Sequence, residues 1–170
     1  MNCREIFTRE TFLEILLSIV TTLVIVPCGR RKIWDIKPDT GSVEAKDAYQ
    51  GAPFKVNREY AERFSDKWVI LSAKYGFIDP SFIIPGNYNV AFKDPSTNPI
   101  SLSVLRRQVQ EKQLDRFDSV IALGGSDYTD IVSEAFSGFK MVLKKPTEGL
   151  PIGKAMQKVK NAVLQNQPFQ

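Results

Sequence analysis

The stretch that decides the fold is TLVIVPCGRRKIWD, residues 22–35. Its β-branched apolar run at 23–26 is typical of a strand that is buried on both faces of a parallel sheet. Pro27 has no N–H group to donate, so it ends the hydrogen-bonded ladder, and Gly29 permits a tight turn. Three cations then follow directly, Arg30, Arg31 and Lys32. The pattern predicts a buried strand that leads into a basic turn.

The same pattern occurs again further along the chain. A second apolar run, WVILS at 68–72, leads into AKYG, and a third, SVIAL at 119–123, leads into GGSDY. We predict a fourth strand at 139–143. Helical spacing separates the strands, over residues 42–64 with a break near 51–53, 101–117, 129–136 and 152–164. Strands that alternate with helices predict an α/β fold in three layers, with a mostly parallel central sheet of about four strands. We expect residues 22–170 to form a single domain.

The segment before the first strand is predicted to be a helical extension, residues 1–21. Thr11 can cap a helix whose apolar side chains recur at helical spacing from Phe12 to Ile19. The apolar stretch 12–26 contains Glu14 and falls short of the roughly 20 apolar residues that a spanning helix needs. We therefore expect no membrane anchor, and the extension is predicted to pack on the domain or to mediate a homodimer.

Composition limits the chemistry. The 170 residues include two cysteines and no histidine, and the net charge is +4. Two cysteines are too few for a disulfide framework, which favours a reducing, cytoplasmic location. The absence of histidine excludes a Ser-His or Cys-His pair and His-ligated zinc. No acidic cluster suggests a metal, so we predict neither a metal nor another cofactor. The mild basic charge fits an anionic ligand.

In an open parallel sheet, ligands bind at the carboxyl ends of the strands, so the three polar turns should share one edge. In the first turn we expect Pro27 and Gly29 to shape the backbone. Arg30, Arg31 and Lys32 are expected to hold phosphate, and Lys32 is also a candidate catalytic residue. The alternative is a solvated basic turn. Cys28 is a candidate nucleophile, and otherwise a small buried apolar group.

The second and third turns supply the other candidate site residues. Lys74 is a candidate anion contact or proton-transfer group, and Tyr75 a stacking surface; alternatively Lys74 is merely exposed and Tyr75 covers the core. In the third turn, GGSDY, backbone N–H groups that precede a helix are suited to bind a phosphate, although this turn lacks the lysine of a P-loop. Alternatively its glycines allow close packing and a polar residue caps the helix. The remaining candidates at these turns are Ser72, Gly124, Gly125, Ser126 and Asp127.

Two further features bear on a ligand. Residues 79–101 are rich in proline and show little periodicity, which predicts a long loop, and such loops are usually functional or mobile. Aromatic side chains near the turns can stack on a base or belong to the core. They are Trp34, Tyr49, Phe54 and Tyr128.

Four segments in order, VPCGRRKIWD, AYQGAPFKVNREYAERF, WVILSAKYGFIDP and GLPIGKAMQ, resemble a family of small uncharacterised bacterial, archaeal and phage proteins. Its motifs are P-C-x-x-x-K and L-S-A-K-Y-G, and the likeness covers residues 22–160. A more distant likeness is to the domain of archaeosine synthase with a P-C-S-x-x-K-P-Y motif, and more loosely to YaaA-type DNA-binding proteins. The former implies a uracil-DNA-glycosylase-like fold and chemistry on a 7-deazaguanine base. Pro27, Cys28 and Lys32 match its motif, whereas Gly29 stands in place of its serine.

Three functions follow as hypotheses. The first is a nucleic-acid-associated protein that binds a nucleobase, a nucleotide or a nucleic-acid phosphate in a basic cleft at the strand ends, and that acts in base modification. The second is a DNA-binding or sensor module without chemistry. The third is a small-molecule transferase that uses Cys28. Sequence alone does not decide whether the protein is an enzyme.

Overall fold

The computed structural model describes residues 20–170, so the predicted helical extension lies almost entirely outside the described residues. A five-stranded sheet has the order β4-β3-β1-β6-β7, and a separate two-stranded sheet pairs β2 with β5. The strands are β1 (Thr22–Pro27), β2 (Val43–Glu44), β3 (Lys67–Ser72), β4 (Gly76–Ile78), β5 (Ile83–Ile84), β6 (Ser119–Ala122) and β7 (Val142–Lys144).

The central sheet is mixed, with four parallel strands and one antiparallel strand. β1 runs parallel to β3 and β6, and β6 runs parallel to β7. β4 pairs antiparallel with β3, and Ile70 is aligned with Ile78. The prediction of a mostly parallel α/β sheet is confirmed, but the sheet has five strands and not about four. β4 was missed because it is only three residues long and follows β3 through a tight turn, in which Gly76 has a φ of 76°.

Helices cover both faces of the central sheet. α2 packs against α5 and against β1, whereas α3 packs against α4. Alternate residues of β1 enter the two cores: Val24 and Val26 face the α2 side, and Leu23 and Ile25 the α3 side. The apolar run is continuous because β1 is buried on both faces. The helices are α1 (Ala45–Ala48), α2 (Ala52–Phe64), α3 (Leu102–Glu111), α4 (Ser126–Ala135) and α5 (Ile152–Leu164).

Several predicted boundaries differ from the structure. α3 ends at Glu111 and not at 117, because Gln113 takes a left-handed φ of 56° and a 3-10 turn follows at Leu114–Arg116. β7 begins three residues later than predicted, after a turn in which Gly138 has a φ of 90°. The β2–β5 ladder was not predicted because each of its strands has only two residues.

The strand order places the carboxyl ends of β1 and β6 at a reversal of winding. From β1 the chain moves to β3 on one side, and then crosses to β6 on the other side of β1. In doubly wound sheets such a reversal opens a crevice beyond the strand ends, where ligands bind. None of the helices in residues 20–170 has the length and apolar character needed to cross a bilayer.

Candidate functional site

Lys32 lies in the turn after β1 and is buried, with only 6% of its surface exposed. Its Nζ donates a hydrogen bond to the carbonyl oxygen of Arg30 at 3.3 Å and lies 4.4 Å from the ring centroid of Tyr88. Within the described residues, no carboxylate forms a salt bridge with it. Burial lowers the pKa of the Lys32 amine, since desolvation disfavours the charged form.

Arg30 and Arg31 differ from their neighbour in sequence. Both side chains are exposed, and neither forms a salt bridge with a carboxylate in residues 20–170. The three cations predicted to act together are therefore separated: Lys32 is buried, while the two arginines stand at the surface. The difference arises because the Lys32 backbone pairs with Tyr49 in an isolated β-bridge and precedes the 3-10 turn Ile33–Asp35.

Cys28 begins the turn after β1 and contacts both β3 and the helix that follows β6. Its N–H donates to the carbonyl oxygen of Leu71, the penultimate residue of β3, at 3.0 Å. Its Sγ lies 3.3 Å from the hydroxyl of Tyr128, which α4 carries beyond β6. Burial raises the pKa of the Cys28 thiol, and hydrogen bonds from Tyr128 and the Ala73 backbone offset this only in part. The thiol is therefore protonated at neutral pH, which is unfavourable for a nucleophile.

A chain of three hydroxyl groups lies beside Lys32. The hydroxyl of Tyr88 is 2.9 Å from Ser72 Oγ and 2.5 Å from the hydroxyl of Tyr49. Ser72 Oγ also accepts the backbone N–H groups of Lys74 and Tyr75, each at 3.2 Å. Burial raises the pKa of Tyr88 to about 12, so the phenol is neutral. The Ser72 side chain thus organises its own turn and holds Tyr88 in place.

Lys74 is exposed and contacts the same aromatic ring as Lys32. Its Nζ lies 5.2 Å from the ring centroid of Tyr88 and 5.1 Å from that of Tyr75. Tyr75 and Tyr88 meet edge to face at 5.4 Å. A cation within about 6 Å of an aromatic centroid is attracted by the π electrons. The turns after β1 and β3 are therefore joined through one tyrosine.

The turn after β6 packs closely on the turn after β1. Gly124 has a φ of 108°, and a Cβ at this position would lie 2.8 Å from Cγ of Pro27. The Thr147 hydroxyl clamps the turn, donating to the Gly124 carbonyl and accepting its N–H, each at 3.0 Å. Gly125 is the N-cap of α4, and Ser126 is its first residue. Only glycine fits at 124, because the backbone conformation and the proline both exclude a side chain.

Asp127 is exposed in the first turn of α4 and is paired with a cation. Its Oδ2 lies 2.5 Å from Nζ of Lys93. Next to these residues, Phe92 meets Tyr128 edge to face at 5.6 Å. Both Phe92 and Lys93 belong to the long loop between β5 and α3, so this loop reaches the start of α4.

That loop contributes residues that the sequence did not single out, Tyr88 above all. Its neighbour Asn87 donates a hydrogen bond to Asp35 Oδ1 at 3.1 Å, while Asp35 Oδ2 accepts the Lys32 N–H at 2.7 Å. These two bonds hold the pKa of Asp35 below its usual range. No spacing in the sequence identifies Tyr88, because its role depends on where the loop crosses the strand ends. A tyrosine within a proline-rich loop was the only signal.

The other aromatic candidates fall into two groups. Trp34, Tyr49 and Phe54 are buried in the core cluster, and the Trp34 indole donates to the Thr40 carbonyl at 2.6 Å. Tyr128 is half-buried and stays at the strand ends. Trp34 and Phe54 are therefore core residues and do not provide a surface for stacking on a base. Tyr49 is also buried, but its hydroxyl belongs to the site.

Contacts of Tyr88 and Tyr128 link the turns after the three strands. A cavity of about 310 Å³ lies elsewhere, between α5 and the C-terminal tail, where it is lined by Lys158 and Phe169 among others. It shares no residue with the strand-end turns. Residues 20–170 contain no group of three Asp, Glu, His or Cys side chains that could hold a metal ion.

Comparison with known proteins places the chain in a family. Residues 23–161 match a family of unknown function, DUF6884. The chain belongs to this family. It is also 36% identical over 141 residues to the Uncharacterized protein YfjM of Bacillus subtilis (strain 168), which covers 83% of this chain and 94% of that protein. No solved structure matches. The matched region includes every residue of the strand-end site and excludes the N-terminal segment.

Proposed function

We propose that the strand-end site binds a nucleobase or nucleotide, free or within a nucleic acid. The observation that carries this proposal is the meeting of two lysines, Lys32 and Lys74, on the ring of Tyr88. They meet beside the winding reversal where doubly wound sheets bind ligands. A flat ring flanked by cations offers both a stacking surface and a countercharge, which are the two features that nucleotides require of a protein.

The phosphate of the ligand would lie at the surface of the site. Arg30, Arg31 and Lys74 are exposed there, and the guanidinium groups suit two-pronged contacts with phosphate. Within the described part of the chain, no side chain caps the N-terminus of α4 at Gly125, so the first backbone N–H groups of this helix are further candidates to bind phosphate. A mononucleotide or a strand of nucleic acid would satisfy these groups equally.

The base would lie further in, against the tyrosines. Tyr75, Tyr88 and Tyr128 are half-buried around the three turns. The resemblance to the uracil-DNA-glycosylase-like domain of archaeosine synthase, at Pro27, Cys28 and Lys32, supports a base as the ligand. Base modification is the corresponding activity, with the Lys32 amine as the proton-transfer group, because its lowered pKa favours release of a proton.

A binding module without chemistry is the second candidate function. Cys28 is unfavourable as a nucleophile because its thiol pKa is raised. The carboxylate of Asp127 is paired with Lys93. These two observations favour recognition over catalysis, and they make a transferase that uses Cys28 the least supported of the three functions.

The proposal is tested by titrating the full chain with nucleoside monophosphates and with short single-stranded DNA. We expect Lys32→Met and Lys74→Met each to weaken binding by about 1 to 3 kcal/mol, the usual worth of a charge-assisted hydrogen bond. Lys160→Met is the matched control, since Lys160 is exposed on α5, away from the strand ends. Unchanged affinity in both site variants would reject the proposal.

A turnover assay separates the two candidate functions. Base modification predicts a mass change in the bound base, or in DNA or RNA incubated with the protein. Tight, salt-sensitive binding with no such change in any substrate pool would identify a binding module.

A further inference from the structure

We infer that the strand-end site selects a ligand that presents an oxo group, in preference to an amino group, at its inner edge. This inference rests on the proposed function and adds a specificity to it. Its basis is the count of hydrogen-bond donors and acceptors around Lys32, Ser72, Tyr49 and Tyr88.

Ser72 determines the direction of the hydroxyl chain. A hydroxyl oxygen has two lone pairs, and Ser72 Oγ already accepts two N–H groups, those of Lys74 and Tyr75. Its own hydrogen must therefore point to Tyr88, 2.9 Å away. The burial of Ser72 is complete, so solvent offers it no other partner.

One hydroxyl hydrogen is then left over. Ser72, Tyr88 and Tyr49 together have three hydroxyl hydrogens, but they make only two oxygen–oxygen contacts, at 2.9 and 2.5 Å. Within the described residues, no group outside these three side chains forms a hydrogen bond with either tyrosine hydroxyl. Where Tyr49 donates to Tyr88, this hydrogen belongs to Tyr88, which is half-buried and can donate it to a ligand, whereas Tyr49 is only 1% exposed.

Lys32 adds further donors at the same place. Its ammonium has three hydrogens, and one oxygen accepts from it, the Arg30 carbonyl at 3.3 Å. The nitrogen faces the ring of Tyr88, the tyrosine at the centre of the hydroxyl chain. Among residues 20–170, no carboxylate takes part in this cluster, because Asp35 binds the Lys32 backbone and the Asn87 amide, and Asp127 pairs with Lys93.

The cluster thus has a surplus of donors, one of them cationic, and its complement is an oxygen acceptor. A ligand oxo group accepts from an ammonium and a phenol at once. An amino group could donate to a phenolic oxygen, but it would face the Lys32 ammonium donor to donor and would leave the hydrogens of that ammonium unpaired, which is costly. Discrimination of this kind, between a hydrogen-bonding group and its mismatch, changes the affinity for a base by about tenfold or more.

The test uses pairs of nucleotides that differ in this group and in the hydrogen on the adjacent ring nitrogen. Binding of the full chain to UMP is compared with CMP, and to IMP with AMP; short oligomers of deoxyuridine and deoxycytidine repeat the contrast on a strand. We expect the oxo member to bind about tenfold tighter in at least one pair. Equal binding within every pair, or preference for the amino member, would overturn the inference.

Variants then identify the groups responsible. Lys32→Met should bring the paired ligands to nearly equal affinity, and Tyr88→Phe should reduce the preference while keeping the ring. Lys74→Met is the matched control: it contacts the same ring from an exposed position, so it should weaken both members alike and leave their ratio unchanged. If the ratio of the affinities for the oxo and amino ligands is unchanged in Lys32→Met, the inference is also overturned.

The failure of this inference is distinguishable from failure of the proposed function. If nucleotides and oligomers bind without oxo preference, only the specificity is wrong. If none of them binds at all, both are wrong. The comparison of oxo and amino nucleotides on the wild-type protein needs no variant. A folding defect in Lys32→Met, which thermal unfolding would detect, therefore does not affect it.

Discussion

At the scale of single residues, Lys32 is the most informative side chain. A buried lysine without a carboxylate partner costs free energy, because its charge loses hydration and gains little in return. Here the compensation is one carbonyl at 3.3 Å and the face of Tyr88. Groups that cost stability in this way occur most often where function needs them. Lys32 is therefore the first residue to change in any functional experiment.

The stability of the protein should reveal the cost of Lys32 through its pH dependence. Because the folded pKa lies below the ordinary value of 10.5, the unfolded chain binds more protons between these two values. The free energy of unfolding of the wild type, relative to that of Lys32→Met, should accordingly increase as pH rises towards 10.5. The destabilisation caused by Lys32 is largest below its folded pKa. Urea unfolding of both proteins from neutral to alkaline pH measures this difference.

Lys160→Met is the control for these measurements, and its free energy of unfolding should depend on pH in the same way as that of the wild type. The tyrosines with raised pKa values are common to all three proteins, so their contributions cancel in the differences. Parallel curves for Lys32→Met and wild type would show that the lysine is hydrated in the folded state.

Cys28 should react slowly with alkylating reagents at neutral pH. Its folded pKa lies above 9.0, so the reactive thiolate is scarce until the solution becomes more alkaline. The rate of iodoacetamide alkylation should rise continuously through pH 9 and show no plateau near neutrality. The experiment uses Cys3→Ser protein, because Cys3 lies outside the described residues and would contribute its own reaction. A fast, pH-independent reaction near pH 7 would contradict the assigned environment.

At the scale of elements, the loop between β5 and α3 assembles the site. Its residues contact all three strand-end turns: Tyr88 reaches Ser72, Asn87 reaches Asp35, and Lys93 reaches the start of α4. The loop is also tied down at its end, where the Ile100 N–H donates to the Ala73 carbonyl at 2.8 Å. A loop held at several points covers the strand ends in one conformation, which explains how a segment without regular structure provides a site residue.

The turn between β6 and α4 should tolerate no side chain at its first glycine. Gly124→Ala would place a Cβ 2.8 Å from the ring of Pro27 and force a φ of 108° on an L-residue. A conformation of this kind costs about 1 to 3 kcal/mol, and the contact adds to it. Thermal or urea unfolding measures the loss. Gly125→Ala is the matched control, with nothing within 4 Å of its Cβ, and should cost less. Equal stability of the two variants would contradict this packing.

At the scale of the whole molecule, charge should govern the affinity for nucleic acid. The net charge of +4 is small, so the effect depends on where the cations lie. Arg30 and Arg31 stand exposed beside the strand ends, without carboxylate partners in the described part of the chain.

Changing both arginines should reduce the salt dependence of binding. If each neutralises one phosphate, the slope of log K against log salt for Arg30→Ala/Arg31→Ala should fall by about 1 per contact. Single-stranded DNA binding, measured over a range of salt concentrations, gives this slope. A double variant with the wild-type slope would place the phosphates elsewhere.

Much of the architecture was predictable because its signal is local. β1, β3 and β6 appear as continuous apolar runs, and each of them is buried on both faces. β4 escaped prediction because it is only three residues long and follows a tight turn. A distant side chain supports it: Gln108 of α3 accepts the Phe77 N–H at 2.8 Å and donates to the Tyr75 carbonyl at 3.0 Å. The order of the strands likewise depends on contacts between segments far apart in the chain.

The candidate site was predictable only in part. Parallel strands end at one edge, so the sequence alone predicts that Cys28, Lys74 and Gly124 lie near one another. It could not distinguish Lys32 from Arg30 and Arg31, because three adjacent cations look alike until the backbone points one of them inward. Nor could it select Tyr88 from the other tyrosines, since that choice depends on the path of a loop.

By itself, then, the sequence determined the α/β alternation, the parallel core strands and the three polar turns, because hydrophobic periodicity and turn residues act over short distances. Only the tertiary structure decided which lysine is buried, which tyrosine joins the turns and which way the Ser72 hydroxyl points. These depend on burial and hydrogen bonding between segments that meet only after the chain has folded.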